Sequence, residues 1–98
     1  MNKPHRKKEY ERIAELFKIM ANAKRLEILN LLKEKEMIVT ELVNGLGIRK
    51  ANVSQHLALL RYTGLVTARR QGKNVFYKIA NPKVVDIFEI VGKLRKQK

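Results

Sequence analysis

The chain has 98 residues, which is enough for one domain with a modest hydrophobic core. It carries 22 lysines and arginines against nine aspartates and glutamates, so its formal net charge is +13 at pH 7. Such an excess of positive charge lowers stability, because like charges repel, and it usually serves to bind an anionic partner. Nucleic acid is the first candidate, and an acidic membrane surface is the second. The absence of cysteine excludes disulfides, thiolate metal sites and thiol redox sensing.

Residues 1–9 are polar and basic and are predicted to form a flexible tail, while residues 10–98 are predicted to form the folded domain. No apolar stretch approaches the roughly 20 residues that a membrane span needs. No signal-peptide core follows the basic start. We therefore expect a cytoplasmic protein with no membrane partner.

Two helices are predicted in the first third of the chain. From Tyr10 onward apolar residues recur at helical spacing, which predicts the first of them. Asn22 is a good N-cap for a second helix over residues 23–34. Thr40 is then predicted to cap a short helix over residues 41–46.

The next two segments predict a helix-turn-helix followed by a hairpin. Glycines at 45 and 47 can supply the turn between the short helix and another over about 49–62. The β-prone runs 65–69 and 75–79 flank a turn over 71–74. Tyr62 is predicted to pack beneath this hairpin.

Asn81 and Pro82 are typical of a helix start, and an apolar stripe follows them. The sequence thus predicts a mainly α (α+β) fold of about five helices and one hairpin. Acidic residues are absent from Leu42 to Val85, whereas lysines and arginines continue through this half. A solvated surface normally mixes the two signs, so the pattern indicates a face that binds an anion.

The predicted helix over 49–62 has the properties needed to read B-DNA in the major groove. Val53, Leu57 and Leu60 fall on one face, which leaves polar side chains outward or at its edge. Asparagine and glutamine can bond adenine bidentately, and lysine can reach guanine. The residues predicted to contact bases are Lys50, Asn52, Ser54, Gln55 and His56.

Two segments of the chain resemble the ArsR/SmtB family of winged helix-turn-helix repressors. The first is TELVNGLGIRKANVSQHLALLRYTGLVTARRQGKNVFYKI, in which VSQHLALLRYTGLV and the Arg-Arg-Gln-Gly-Lys run are the most specific parts. The second, FKIMANAKRLEILNLLKEKE, resembles the paired N-terminal helices of that family. Together the resemblance covers about residues 12–90.

The resemblance implies a transcriptional regulator, expected to be a repressor, that binds a pseudo-palindromic operator as a homodimer. Its recognition helices would enter successive major grooves about 34 Å apart. Ser54, Gln55 and His56 match the family's Ser-Arg/Gln-His, and the hairpin matches its wing. Expected contacts to the DNA backbone are Arg49, Arg61, Arg69, Arg70, Lys73 and Asn74. The implied dimer interface, between the first and last helices, comprises Ile13, Phe17, Val84, Ile87, Phe88 and Val91.

The chain also departs from the family. At positions 49–51 the family usually has Ser-Gln-Ser, whereas this chain has Arg-Lys-Ala, so its base preference cannot be carried over. The family's metal-binding Cys-Val-Cys is replaced by Ile38-Val39-Thr40, and Phe88 stands where a second metal site expects histidine. We therefore expect no metal and no cofactor, and the effector remains unassigned.

Two other functions are compatible with these residues. One is a weakly specific architectural DNA-binding protein, which the charge at Arg49 and Lys50 favours. The other is a winged-helix module that binds an acidic protein partner. An enzyme is not expected, because the chain has two isolated histidines and lacks both a phosphate-binding glycine loop and a plausible catalytic carboxylate pair in its basic half.

Overall fold

A computed structural model of the chain describes residues 6–96. Within this range it has five helices and a two-stranded antiparallel sheet, which confirms the predicted mainly α winged helix-turn-helix. The elements are α1 (Lys7–Met20), α2 (Ala23–Glu34), α3 (Val39–Leu46), α4 (Lys50–Tyr62), β1 (Val66–Gln71), β2 (Asn74–Ile79) and α5 (Lys83–Lys96). The pair α3 and α4 is the helix-turn-helix, and β1 with β2 is the wing.

The first helix begins at Lys7, three residues before the predicted start at Tyr10. The carboxylate of Glu9 accepts a hydrogen bond from the backbone N–H of Arg6 at 3.2 Å, which closes the first turn. Residues 7–9, assigned from the sequence to a flexible tail, are therefore helical. The preceding residues 1–5 lie outside the described range.

The second helix lies at the centre of the core. The side chain of Asn22 accepts a hydrogen bond from the N–H of Arg25 at 3.1 Å, which confirms the predicted N-cap. Ile28, Leu29 and Leu32 are buried. Through them α2 packs against α1, α3, α4, α5 and β2, and so joins the helices to the wing.

The third helix begins at Val39, so the predicted N-cap at Thr40 is wrong. Ile38 is the N-cap and offers no side-chain acceptor, but the carboxylate of Glu41 accepts a hydrogen bond from the N–H of Ile38 at 3.0 Å and so satisfies that donor. The helix ends at Leu46, and its C-cap Gly47 has a φ of 70°, which lies in the left-handed region. This glycine turns the chain into α4.

Helix α4 shows the predicted division into a buried and an exposed face. Val53, Leu57 and Leu60 are almost completely buried, at 0%, 1% and 0% exposure. They contribute to the core through which α4 packs against α2, α3 and β1. Because side chains three or four positions apart share a face, most of the residues between them point away from the core, and His56 at its edge is half-buried.

The wing is a hairpin whose strands pair from Val66↔Ile79 to Gln71↔Asn74. Its turn has two residues, and Gly72 has a φ of 63° whereas no non-glycine residue in the described range has a positive φ. This combination is typical of a type II′ turn. Met37 and Tyr77 exchange two backbone hydrogen bonds, of 3.0 and 2.8 Å, which attach the segment before α3 to β2.

Helix α5 follows Asn81, whose side chain accepts a hydrogen bond from the N–H of Lys83 at 3.0 Å. This contact confirms the predicted start. Val85 is fully buried in the core, but much of the remaining apolar stripe is exposed. Within residues 6–96, none of the helices has the length and apolar character needed to cross a membrane.

Candidate nucleic-acid interface

The outer surface of α4 presents a continuous row of exposed side chains. Ala51, Gln55, Ala58 and Tyr62 follow one another at spacings of four, three and four residues and are all exposed. They therefore form one stripe along the helix. The predicted base contacts Lys50, Asn52 and Ser54 flank this stripe and are also exposed.

A polar cleft of about 220 Å³ joins the beginning of α4 to the tip of the wing. Lys50 lines it from α4, and Lys73 and Asn74 line it from the wing. The fold thus brings a predicted base contact and two predicted backbone contacts to one place. Thr40 lines the same cleft from the first turn of α3, a position that the sequence analysis treated only as a cap.

The predicted cationic contacts around α4 and the wing are exposed and free of acidic neighbours. In the described part of the chain, none of these side chains has a carboxylate within ion-pair distance. A cation that is not neutralised by the protein remains available to a phosphate. The side chains are Arg49, Lys50, Arg61, Arg70 and Lys73.

Arg69 differs from these cations because the protein already binds it. Its guanidinium donates two hydrogen bonds to the carboxylate of Glu36, at 3.2 and 2.7 Å, and one to Gln71 at 2.6 Å. It also lies over the ring of Phe76, 4.8 Å from the centroid. The hydrogen bond from Arg69 lowers the pKa of Glu36. Arg69 therefore links the wing to the segment between α2 and α3.

His56, predicted as a base contact, lies at the junction between α4 and α2. Its Nδ1 is 3.4 Å from Nη1 of Arg25, whose Nε donates to the carbonyl of Ile19 at 2.7 Å. Burial, followed by the neighbouring Arg25 charge, lowers the pKa of His56. The neutral ring can accept from Arg25 through Nδ1, which leaves Nε2 as the donor.

We expect the His56→Gln variant to lose less stability than the parent protein when the pH falls from 7.5 to 5.5. The folded-state pKa of His56 lies below the unfolded value of about 6.5, so its stabilising contribution is complete above pH 6.5. That contribution is lost as the pH falls through the folded-state pKa. Thermal unfolding at both pH values measures the difference. Equal losses in the two proteins would show that His56 does not titrate in this way.

Tyr62 does not pack beneath the hairpin, so that prediction is wrong. Its side chain is 88% exposed at the end of α4. The signal that could have located it is its spacing from Ala51 and Gln55, which places it on the outer stripe rather than on the buried face. Tyr62 extends the candidate interface to the end of the helix.

A second surface, which we call the α1–α5 groove, is apolar and lies away from these cations. It has a volume of about 300 Å³. Three predicted interface residues that line it are apolar and yet exposed: Phe17 (52%), Ile87 (39%) and Val91 (56%). Its complete lining is Phe17, Met20, Ala21, Leu26, Ile87, Phe88 and Val91.

Phe88 is half-buried and lines the same groove, whereas the other two predicted interface residues occupy different positions. Val84 is half-buried and packs against the chain's own core, and Ile13 is half-buried beside Leu16 on the surface of α1. Across residues 6–96, the structure has no group of three or more histidine, aspartate or glutamate side chains that could hold a metal ion. The structure therefore offers two candidate surfaces, the cationic one on α4 and the wing and the apolar α1–α5 groove.

A family model described as "Bacterial regulatory protein, arsR family" matches residues 22–68, which include α2, α3, α4 and the start of β1. The transcriptional activator HlyU of Vibrio cholerae is 37% identical over 94 residues, covering 96% of this chain and 87% of that protein. The transcriptional repressor PagR of Bacillus anthracis is 42% identical over 84 residues, covering 84% of this chain and 83% of PagR.

Solved structures agree with this match. The solved structure of HlyU from Vibrio cholerae superposes with a TM-score of 0.79 at 37% identity, covering 94% of this chain and all of the solved chain. The homodimeric winged helix-turn-helix DNA-binding domain of Mb0332 from Mycobacterium bovis gives a TM-score of 0.79 at 31% identity. That match covers 99% of this chain and 92% of the domain. The predicted resemblance is thus confirmed, and the chain belongs to the arsR family of bacterial regulatory proteins.

Proposed function

We propose that the chain is a transcriptional repressor that binds a pseudo-palindromic DNA operator as a homodimer. The observation that carries this proposal is the uncompensated cationic surface that α4 and the wing share. Its cations surround an exposed helix that is narrow enough for the major groove. We propose that Asn52, Ser54 and Gln55 contact bases, while Arg70 and Lys73 hold the phosphate backbone.

The proposed dimer forms through the α1–α5 groove. Exposed apolar patches of this kind mark interaction sites, and Phe17, Ile87 and Val91 would be covered by the same surface of a second copy. The Mb0332 domain, which is described as homodimeric, supports this arrangement. Two copies related by a two-fold axis would present two α4 helices to half-sites about 34 Å apart.

Repression is proposed because PagR, at 42% identity, is named a repressor. HlyU is named an activator, so the sign of regulation is part of the test. We propose no catalytic role, since both relatives are named as regulators of transcription. DNA is the proposed partner, and the cytoplasm is the compartment where the protein would meet it.

A weakly specific architectural role is the second candidate. It is favoured by Arg49, which stands at the N-cap of α4 with no side-chain cap hydrogen bond, and by the adjacent exposed Lys50. Charge at these positions strengthens binding to any phosphate backbone. Base-specific contacts would then contribute little.

Sequencing the genomic DNA that the purified protein captures near physiological salt separates the two candidates. A repressor is expected to enrich a few sites with inverted half-sites, located near promoters whose transcripts rise when the gene is deleted. Uniform recovery of DNA fragments from the whole genome would contradict sequence-specific regulation and support the architectural role. Falling transcripts on deletion would indicate an activator.

Gln55→Ala and Arg70→Ala are expected to change DNA binding in different ways. Loss of the Gln55 amide should reduce discrimination between the enriched site and random duplex, by about 1–3 kcal/mol for a bidentate contact. Loss of Arg70 should weaken binding to both duplexes alike and reduce the slope of log K against log salt by about 1. Titrations at several salt concentrations measure both effects. The assignment of roles fails if Arg70→Ala changes specificity and Gln55→Ala does not.

A further inference from the structure

A separate cleft of about 440 Å³ lies between the end of α2, the end of β2 and the start of α5. None of its lining residues belongs to α4 or to the turn of the wing. Leu32 and Ile79 are buried beneath the cleft, and the exposed residues Ala80 and Pro82 supply its apolar wall. Its volume falls within the range of roughly 300–1,000 Å³ that is typical of small-molecule sites.

Three lysines from three successive parts of the fold line this cleft. Lys33 comes from the last turn of α2, Lys35 from the residue that ends α2, and Lys78 from β2. Among the described residues, the one carboxylate in the lining is that of Glu36, and Arg69 already holds it with two hydrogen bonds. The charge of the three lysines is therefore left without a matching acid in the cleft.

We propose that this cleft binds a small organic carboxylate with an apolar body. The carboxylate would lie among Lys33, Lys35 and Lys78, and the apolar body would cover Ala80 and Pro82. A purely inorganic anion would satisfy the lysines but leave this apolar wall in water. A neutral apolar molecule would leave three cations without a partner.

The cleft is connected to the wing through Glu36. This residue contributes to the wall of the cleft and binds Arg69 on β1, while the Lys78 charge also acts on it. A carboxylate bound beside Glu36 would repel it and so displace the group that holds Arg69. Arg69 would then be held less tightly, so that DNA binding must itself order the wing. Ligand binding is therefore expected to lower DNA affinity, a consequence that rests on the proposed function.

Binding is tested on the free protein with naphthoate and its neutral isostere naphthamide. Nuclear magnetic resonance of isotope-labelled protein should show naphthoate shifting backbone amides along the cleft, with naphthamide binding at least ten-fold more weakly. Lys33→Met and Lys78→Met should each weaken naphthoate binding about three- to ten-fold. Lys24→Met is the control, because it removes the same charge from α2 about 14 Å along the helix from Lys33.

Equal binding of the acid and the amide, shifts confined to α4 or the α1–α5 groove, or no binding at millimolar naphthoate would each overturn the proposed site. The second measurement is the affinity for the enriched DNA duplex with and without naphthoate, expected to fall about five-fold or more. Unchanged affinity despite binding would overturn the coupling to the wing. Because the first measurement contains no DNA, a failure of the proposed function leaves its result intact.

Discussion

Replacing Val91 with glutamate is expected to convert the protein to a monomer and to weaken its binding to a two-half-site operator by at least about 100-fold. Val91 is 56% exposed and lines the α1–α5 groove. In the proposed dimer, the new carboxylate would be buried against Phe17 and Ile87, where it would have no cationic partner. An unpaired buried charge costs several kcal/mol. Loss of the dimer also removes simultaneous binding to both half-sites, a gain in affinity that commonly exceeds 100-fold.

Sedimentation measures the oligomeric state, and titration against duplexes with one or two half-sites measures the DNA effect. Lys93→Gln is the matched control, because it also lowers the net charge by one unit, at an exposed position on α5 outside the groove. This control should remain dimeric and retain most of its affinity. A dimeric Val91→Glu protein would show that the copies associate through another surface. The single half-site duplex should be bound similarly by both variants.

Local features of the sequence predicted most of the fold. The 3.6-residue period of Val53, Leu57 and Leu60 identified the buried face of α4, because burial must repeat with the helix. Asn22 was identified as a cap because its side chain reaches the backbone N–H three residues later. The cap at Thr40 is wrong because the helix begins earlier, where the carboxylate of Glu41 accepts from the N–H of Ile38 and so stabilises the first turn.

Features that depend on distant residues were not predicted. Glu36 and Arg69 are 33 positions apart in the chain, and no periodicity connects them. They meet because Met37 pairs with Tyr77, which brings the segment before α3 alongside the wing. The sequence pattern therefore identified Arg69 as one cation among several, whereas the fold gives it an internal partner.

The candidate interface was predictable to the extent that it depends on exposure and charge. The absence of acid from Leu42 to Val85 located it, and the fold brings Lys50 of α4 close to Lys73 of the wing. The preferred DNA bases could not be predicted in this way. They depend on hydrogen-bond geometry between individual side chains and base edges, which exposure and charge do not define.

The functional surface of α4 depends on its buried face. Gln55 and Tyr62 are displayed because Leu57 and its buried neighbours fix the rotation of the helix against the rest of the core. Substitutions on the two faces should therefore have separable effects. Those on the outer stripe should change DNA binding without changing stability, and those on the inner face should change stability first.

Leu57→Ala is expected to lower the free energy of unfolding by about 2–5 kcal/mol, the usual cost of truncating a fully buried leucine. The side chain of Leu57 is 1% exposed within the core that joins α4 to α2, α3 and β1. This cost is a large part of the total free energy of unfolding of a small domain. We therefore expect a large shift in the denaturation midpoint and a partly unfolded population near 37 °C, measured by chemical and thermal denaturation.

Leu59→Ala is the matched control, because it makes the same change two residues along the same helix at a side chain that is 38% exposed. Its expected cost is about 1 kcal/mol or less, since less apolar surface is lost and leucine and alanine have similar helix propensities. Both variants must be compared at one protein concentration, because dimerisation adds to apparent stability. Similar costs at both positions would mean that α4 is not held by the face that contains Leu57. The exposed stripe of α4 would then lack the rigid support that directs Gln55 outward.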